Sequence, residues 1–339
     1  MRETSIPSEL DLALVHALQL QPRASWSELA PLLGVTASTL ARRWERLTAE
    51  GLAWVYAAPG RAFSRTRCAA FVLLRCHPGA RLRLAEQVSA FEEVVTVELT
   101  APGTADLLLD VLVPDVALLT HSLTERLAGL PEVSAVECLF ATSLYTEGSR
   151  WRLHSLDTAQ LSALGLPGAG ARAAGSSVEP DRLDRALLDA LVRDGRLGLA
   201  ALAERTGTSA ATVRRRVHRL TDSEMIVFRC DMAPHLTGLP VSVTFRGQVP
   251  TRDLNTLHRT LATLPECRLV AAVTGTTNVL ATFWLRGIGE IQRRETAMCA
   301  RLPSLTVVDR IVGVRTVKRM GHLLDGDGRR TGTQPIRPW

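Results

Sequence analysis

The chain repeats itself over its own length. Residues 10–48 align without a gap with residues 183–221, an offset of 173 residues. The two segments are LDLALVHALQLQPRASWSELAPLLGVTASTLARRWERLT and LDRALLDALVRDGRLGLAALAERTGTSAATVRRRVHRLT. A period of about half of the 339 residues is far too long for a solenoid repeat. The pattern therefore predicts two copies of a unit that itself contains two domains.

The repeated segment has the pattern of three helices joined by tight turns. Apolar residues recur at i, i+3, i+4, i+7 and i+8 in the first helix of each copy. Gly34 and Gly207 then lie where a tight turn needs a residue that tolerates positive φ. A third helix follows, capped by Thr36 or Ser209. This order is typical of a helix-turn-helix domain, in which the third helix enters the major groove of DNA.

The third helix has a buried apolar row and a basic outward face. At about 100° per residue, arginines fall opposite or beside the apolar row in both copies. A solvated arginine-rich face is the alternative interpretation, and the repetition disfavours it. Because Glu45 interrupts the basic face in the first copy, we expect the third helix of the second copy to hold DNA more strongly. The predicted DNA contacts are Thr36, Ser38, Thr39, Arg42, Arg43 and Arg46 in the first copy, and Ser209, Ala211, Thr212, Arg214, Arg215, His218 and Arg219 in the second.

A different pattern begins after each helix-turn-helix segment. Strand-like runs alternate with amphipathic helices in the order βαββαβ, which is the ferredoxin-like arrangement of four antiparallel strands with two helices on one face. The predicted fold class is α+β, with two copies of a winged, three-helix domain followed by a ferredoxin-like domain. The predicted boundaries are 8–56 and 181–229 for the helix-turn-helix domains, 67–146 and 239–318 for the α/β domains, 148–180 for a linker, and 321–339 for a flexible tail.

The combination of these two domains resembles the Lrp/AsnC family of transcriptional regulators, here in tandem. The segments LDRALLDALVRDGRLGLAALAERTG and ATVRRRVHRL carry the resemblance. It implies that the α/β domains, called RAM domains, mediate dimerisation and bind an amino acid or another small effector near a glycine-containing turn. The family's Gly-x-x-Asp matches Gly103, Thr104 and Asp106 in the first copy, and Gly275, Thr276 and Asn278 in the second, where an amide replaces the acid. Plain β-hairpin chemistry is the alternative explanation of both turns.

Composition limits which partners, cofactors and cellular locations are expected. A net charge of +6 favours a polyanionic partner only weakly until the charges are located. Six scattered cysteines form no metal-ligand pattern, so no metal and no cofactor are predicted. The N-terminus is neither a signal peptide nor a transit peptide, and no stretch approaches the length of a membrane span, so we expect a cytoplasmic protein without a membrane partner.

These patterns predict a sequence-specific DNA-binding transcriptional regulator that responds to a small-molecule effector and is not an enzyme. Its expected partners are double-stranded DNA and an effector, with an intramolecular pseudo-dimer or a homo-oligomer formed through the RAM domains. Two alternatives stay open at this point. Some proteins with this domain pair are sirohaem decarboxylases, and fold alone does not exclude that activity. The α/β module could also bind amino acids without any DNA.

Overall fold

Both copies have the same order of helices and strands. The computed structural model describes residues 7–62, 67–148, 151–164 and 179–339. The first copy contains α1 (Glu9–Leu20), α2 (Trp26–Leu33), α3 (Ala37–Ala49), β1 (Ala53–Pro59), β2 (Cys68–Cys76), α4 (Arg81–Ser89), β3 (Val94–Thr100), β4 (Leu107–Val113), a π-helical turn (Leu118–Thr124), α5 (Glu125–Ala128) and β5 (Val133–Thr146). The short helix α6 (Thr158–Ala163) follows.

The second copy repeats this order and adds strands at its end. It contains α7 (Arg182–Arg193), α8 (Leu199–Thr206), α9 (Ala210–Asp222), β6 (Ile226–Met232), a 3-10 turn (Pro234–Leu236), β7 (Val241–Gln248), a second 3-10 turn (Thr251–Thr256), α10 (Leu257–Thr260), β8 (Cys267–Val273), β9 (Val279–Leu285), α11 (Glu290–Arg301), β10 (Thr306–Arg319), β11 (His322–Leu324) and β12 (Arg330–Thr333). The α+β class and the βαββαβ order of both copies are confirmed. None of the helices in the described ranges has the length and apolar character needed to cross a membrane.

The caps explain where the helices of the helix-turn-helix domains begin and end. Ser25 accepts from the backbone of Glu28, and the Glu28 carboxylate accepts from the backbone N–H of Ser25 at 2.7 Å, which closes a capping box. Gly34 and Gly207 end α2 and α8 in the left-handed conformation at φ 66° and 65°. Each helix-turn-helix therefore has the tight turn that the sequence predicts.

The eight strands of the two α/β domains close into one ring. The order is β10, β3, β4, β2, β5, β8, β9, β7 and back to β10. The two copies are joined by the equivalent pairs β5–β8 and β10–β3, in which the last strand of each copy extends along a strand of the other. Helices cover the outside of each half, and a separate apolar cluster that includes Phe71, Leu139 and Ile311 fills part of the interior. The α/β domains of one chain are therefore paired as a pseudo-dimer.

The helix-turn-helix domains are also paired with each other. Strands β1 and β6 form an antiparallel ribbon in which Tyr56 lies opposite Arg229. These two residues are equivalent in the repeat, because they are separated by the same offset of 173 residues that relates the two copies. The ribbon is therefore centred on a pseudo-twofold axis that passes between Tyr56 and Arg229.

A reciprocal pair of arginines strengthens this contact. Arg23 donates to carbonyl oxygens in the α7–α8 turn, including that of Leu197 at 3.1 Å. Its equivalent, Arg196, donates to the carbonyls of Pro22 and Ala24 at 2.7 and 2.8 Å. The two helix-turn-helix domains, called the two heads below, are thus fixed to one another by backbone pairing and by two arginines that each donate to the other domain.

The C-terminal segment differs from the expected flexible tail. Strand β11 pairs with β10 and with β12, and the backbone N–H of Arg330 donates to the carbonyl of Gly51 at 2.8 Å. His322 and Ile336 are fully buried, and Leu324 is buried beside Trp54. The segment is ordered because it packs on the ribbon and pairs with the C-terminal end of β10, which composition alone does not reveal.

The predicted linker divides into two parts. Helix α6 packs on the first helix-turn-helix domain, where Leu156 and Leu164 join its core and Gln160 donates to the carbonyl of Leu32 at 3.2 Å. Residues 149–150 and 165–178 lie outside the described ranges. This part of the predicted linker is therefore helical and belongs to the core of the first copy.

We predict that Ile336→Ala lowers the free energy of unfolding by about 2–5 kcal/mol, the usual cost of truncating a fully buried aliphatic side chain. Chemical denaturation of the full chain measures the change. Val308→Ala is the control, because Val308 is 54% exposed. Equal stability of the Ile336 variant and the wild-type chain would show that the C-terminal segment does not pack as described.

Candidate functional site

The two recognition helices present unequal outward faces. On α3 the exposed positions include Ser38, Arg42 and Glu45. On α9 the exposed positions include the predicted contacts Ala211, Arg214, Arg215 and His218. Arg42 corresponds to Arg215, whereas Glu45 corresponds to His218. The more positive face belongs to the second copy.

The same buried acid holds the recognition helix in each copy. Asp11 on α1 lies 3.0 Å from Arg43 and 2.8 Å from Arg46, with its own side chain 2% exposed. Burial opposes ionisation of Asp11, but hydrogen bonds from Ser8, Arg43 and Arg46 hold its pKa below the usual range. Asp184 on α7 is the equivalent acid and fixes α9 in the same way. It contacts Arg216 and Arg219, and its side chain has no exposed area.

This acid–arginine clamp changes the roles of several predicted DNA contacts. Arg43, Arg46 and Arg219 were assigned to DNA, and each of them is an ion-pair partner of the acid on the first helix. Thr36 and Ser209 are helix caps, which accept from the backbone N–H groups of Thr39 and Thr212 at 3.2 Å. The structure leaves Arg42, Arg214 and Arg215 exposed and without an ion pair among the residues it describes.

The side chains of the predicted effector turns are used in local contacts. Thr104 donates to Asp309 at 2.7 Å, and Asp106 accepts from the backbone N–H of Cys76 at 3.0 Å. Asn278 exchanges two hydrogen bonds with the backbone of Val249, at 2.9 and 2.8 Å. Because Cys76 and Val249 are equivalent at the offset of 173 residues, Asp106 and Asn278 make similar contacts despite their different charge.

The glycines of these turns are not interchangeable. Gly275 has φ 105°, and a Cβ there would lie 2.9 Å from a methyl group of Leu139. A Cβ added at Gly103 would meet only a carbonyl oxygen at 3.8 Å, which is an ordinary contact. Only the second turn therefore requires its glycine for backbone geometry, and the effector role of both turns stays a prediction.

A cavity of about 160 Å³ lies inside the ring of strands. Part of its wall is apolar, and part comes from strand residues whose charged side chains point inward. We call this space the barrel cavity. The residues that define it here are Phe71, Leu108, Leu144, Trp284 and Met320 on the apolar side, and Glu98, Asp110, Arg229, Arg268 and Arg319 on the charged side.

Three arginines of the barrel cavity contact either Trp284 or the ribbon residue Asp231. Arg268 and Arg319 lie over the Trp284 ring, 4.1 and 4.6 Å from its centroid. Arg268 is 3.3 Å from Asp231, and Arg229 is 3.8 Å from the same carboxylate. Although Asp231 is buried, these cations hold its pKa well below the usual range.

Two carboxyl groups face these cations from the neighbouring strands. Burial raises the pKa of Glu98 to about 7, against the opposing effects of Ser242 and Arg319. Burial likewise raises the pKa of Asp110 to about 6. Both groups therefore titrate closer to neutral pH than ordinary surface acids.

The sequence reasoning missed the barrel cavity. Arginine is so abundant in this chain that single arginines on strands carry little weight. The available signal was comparison of the two copies at an offset of 173. The second copy has Arg229, Asp231, Arg268 and Arg319 at positions where the first copy has, in the same order, Tyr56, Ala58, Val95 and Thr146. This charged cluster is present only in the second copy, and it identifies a position at which the two copies differ in function.

Comparison with known proteins agrees with this architecture. The AsnC-type helix-turn-helix domain matches residues 8–48 and 181–221, and the Lrp/AsnC ligand-binding domain matches residues 69–151. The two helix-turn-helix domains are thus of the AsnC type, and the first α/β domain is of the Lrp/AsnC ligand-binding type. The second α/β domain, with the same strand order, follows from the structure.

Two curated relatives match a single copy. An uncharacterised helix-turn-helix transcriptional regulator of Pyrococcus horikoshii is 28% identical over 144 residues, which is 42% of this chain and 88% of the relative. The proline dehydrogenase transcriptional activator of Rhizobium radiobacter is 26% identical over 148 residues, which is 42% of this chain and 93% of the relative. Each relative thus corresponds to about half of this chain, as a duplication requires.

A solved structure matches both copies together. The siroheme decarboxylase NirDL superposes with a TM-score of 0.61 over 92% of this chain and 93% of that chain, at 12% sequence identity. The expectation that the protein is not an enzyme is therefore contradicted, because the structure of a decarboxylase superposes on 92% of this chain. At this identity the likeness establishes the fold.

We predict that Asp184→Asn lowers the free energy of unfolding by about 1–3 kcal/mol, because the two arginines lose the buried negative charge and one of its accepting oxygens becomes a donor, while their outer ends keep some solvent. Thermal or chemical denaturation measures the change. Asp189→Asn on the same helix is the matched control, since its pair with Arg337 is half-exposed and contributes little. An Asp184 variant no less stable than the Asp189 variant would contradict the clamp.

Proposed function

We propose that this protein is a sequence-specific transcriptional regulator in which two unequal helix-turn-helix domains bind DNA as one rigid pair. The observation that carries the proposal is the repeated acid–arginine clamp, which fixes α3 and α9 while leaving Arg42, Arg214 and Arg215 exposed. Exposed arginines on a helix of this kind bind guanine edges and phosphates.

The paired heads define the geometry of the DNA site. The β1–β6 ribbon and the reciprocal arginines Arg23 and Arg196 hold both heads without a second chain. Two heads related by a twofold axis read half-sites about 10 base pairs, or a multiple, apart on one face of DNA. Because the faces of α3 and α9 differ, the preferred site is an imperfect palindrome, and α9 supplies most of the affinity.

Regulation by a small molecule is the second part of the proposal. The Lrp/AsnC ligand-binding domain supports an effector, and the proline dehydrogenase transcriptional activator among the relatives is named for a regulatory role. An effector changes DNA affinity only by as much as it prefers one arrangement of the heads over another. The tight pairing of the two helix-turn-helix domains limits the size of the change in DNA affinity.

The double variant Arg214→Glu, Arg215→Glu tests the proposal. We expect its affinity for the best fragment from a genomic selection to fall about tenfold or more, with a shallower salt dependence, because charge contacts to DNA are lost. Fluorescence anisotropy at several salt concentrations measures both quantities. Arg293→Glu, an 80% exposed arginine on α11, is the control for charge reversal.

Three outcomes separate the interpretations. A selective loss in the double variant supports DNA recognition by α9. An equal loss in the Arg293 control would indicate that only net charge matters. Unchanged affinity in the double variant would refute recognition by α9, and failure to select any fragment would favour an α/β ligand-binding module without a DNA function.

A siroheme decarboxylase-like activity is the second candidate, favoured by the match of both copies to NirDL. The buried arginines of the barrel cavity are of the kind that pair with carboxylate side chains of a tetrapyrrole. A cavity of about 160 Å³ would have to widen, since a similar volume holds a ligand of about the size of benzene. Incubation of the purified chain with siroheme, followed by mass spectrometry for loss of carbon dioxide, tests this candidate. Unaltered siroheme would refute it.

A further inference from the structure

Arg319 is a buried cation without a direct ion pair among the described residues, although Asp231 and Glu98 act on it at longer range. Its exposed fraction is 7%, and it makes one side-chain hydrogen bond, to the hydroxyl of Thr316 at 3.1 Å. Its Nη1 has no acceptor, and no carboxylate lies within ion-pair distance of it in the part of the chain that the structure describes. A buried guanidinium without such a partner is costly to the fold. A ligand that supplies the missing acceptor explains why the residue is tolerated.

From this geometry we propose that the barrel cavity binds a small molecule with one carboxylate and an apolar body, and that Arg319 anchors the carboxylate. The proposal goes beyond the function above, because it assigns a ligand class to a site away from the β-turns. It rests on that function only for the consequence that the ligand has for DNA binding.

The cation is positioned for a planar anion. The guanidinium groups of Arg268 and Arg319 both approach the Trp284 ring, 4.1 and 4.6 Å from its centroid. Stacking on an aromatic ring fixes the plane of a guanidinium, and a fixed plane favours the two parallel hydrogen bonds of a carboxylate. The buried Nε of Arg229 also has no acceptor among the described residues. Two buried guanidinium donors on residues that line the cavity therefore lack an acceptor among the described residues.

The charge balance of the cavity indicates one carboxylate rather than two. Arg229 and Arg268 share the carboxylate of Asp231, and Arg229 also lies 3.6 Å from Glu147. Arg319 is the remaining cation. A second anionic group would be repelled by the carboxyl groups of Glu98 and Asp110, which line the same cavity.

The rest of the wall sets the size and polarity of the ligand. Phe71, Leu108, Leu144 and Met320 line the cavity together with Trp284. An engineered cavity of about 150 Å³ in another protein holds benzene, so about 160 Å³ suits one ring or a branched alkyl chain beside the carboxylate. The site occurs once in each chain, because the first copy has Thr146 where the second has Arg319.

Binding tests use matched probes on the full chain. The carboxylates are 3-phenylpropionate and 4-methylpentanoate, their amino-acid counterparts are phenylalanine and leucine, and the neutral control is 3-phenylpropanamide. We expect carboxylate probes to bind in calorimetry and to raise the melting temperature, and the amide not to bind. A preference for the simple acids or for the amino acids tells to which of these two classes the natural ligand belongs. Either preference supports the site.

Variants locate the binding. Arg319→Gln is expected to weaken probe affinity about tenfold or more, because charged hydrogen bonds to the carboxylate are lost. Arg310→Gln on the same strand should leave affinity unchanged, since Arg310 pairs with Glu295 at the surface. Equal binding by both variants, or equal binding of the amide, would overturn the assignment. Binding by none of the four acids would also overturn it.

The pH dependence of probe affinity is a further test, because a purely structural role of Arg319 would not produce it. Glu98 faces Asp110, Arg319 and Ser242 across the cavity, and burial raises its pKa to about 7. An anion binds more weakly once Glu98 and Asp110 are ionised, so affinity for 3-phenylpropionate should fall as pH rises from about 6 to about 8. Glu98→Gln should reduce this dependence. A profile that is the same in wild type and Glu98→Gln would count against the cavity as the binding place.

Arg319→Met supplies a test without any ligand. If Arg319 is kept for a ligand, replacing it with an apolar side chain of similar length should raise the melting temperature while abolishing probe binding. A lower melting temperature would instead assign Arg319 a structural role. Arg319→Lys keeps the charge and serves if the methionine variant does not fold. Probe binding is measured without DNA, so its failure is distinguishable from failure of DNA recognition in the Arg214 and Arg215 variant.

Discussion

Antiparallel pairing of β1 with β6 is the constraint on which the rest of the molecule depends. The pair is centred on Tyr56 and Arg229, which are the same position in the two copies. Because the backbone hydrogen bonds fix this axis, both helix-turn-helix domains and both α/β domains must arrange themselves around it. The ring of eight strands obeys the same axis through β5–β8 and β10–β3. One chain thereby builds internally what a dimer of single-copy relatives would need two chains to form.

Duplication within one chain allows the two sides of the axis to differ. In a homodimer every substitution appears twice, so an arginine at position 229 would face a second arginine across the ribbon. Here Arg229 faces Tyr56, and the Tyr56 hydroxyl donates to Asp231 at 2.8 Å. The acid–arginine clamp shows the opposite behaviour, since Asp11 and Asp184 keep the same partners in both copies. Features needed by each head have been retained twice, whereas the charged cavity exists once.

The helices and the order of strands could be predicted from the sequence because they depend on local patterns. Apolar periodicity, capping residues and the glycines at 34 and 207 act over a few residues, and the repeat checks each of them. The roles of Arg43, Arg46 and Arg219 could not be read from helical angles alone, since the acid that holds them lies on a different helix. Alignment of Asp11 with Asp184 within an apolar stripe was the available signal. The C-terminal strands were missed for a similar reason, because they are stabilised by an edge and a ribbon formed far away in sequence.

The positions of the ribbon and the barrel cavity connect the two proposed activities physically. Arg229 belongs to the ribbon that joins the two heads and also lines the barrel cavity. Gly148 lies against the same cluster, since a Cβ there would come within 2.5 Å of Arg229 and 2.7 Å of Arg268. An anion bound beside these side chains changes the charge balance that holds Asp231, and Asp231 is itself a ribbon residue. A ligand therefore needs no long pathway to act on the heads, because its site and their joint share the same residues.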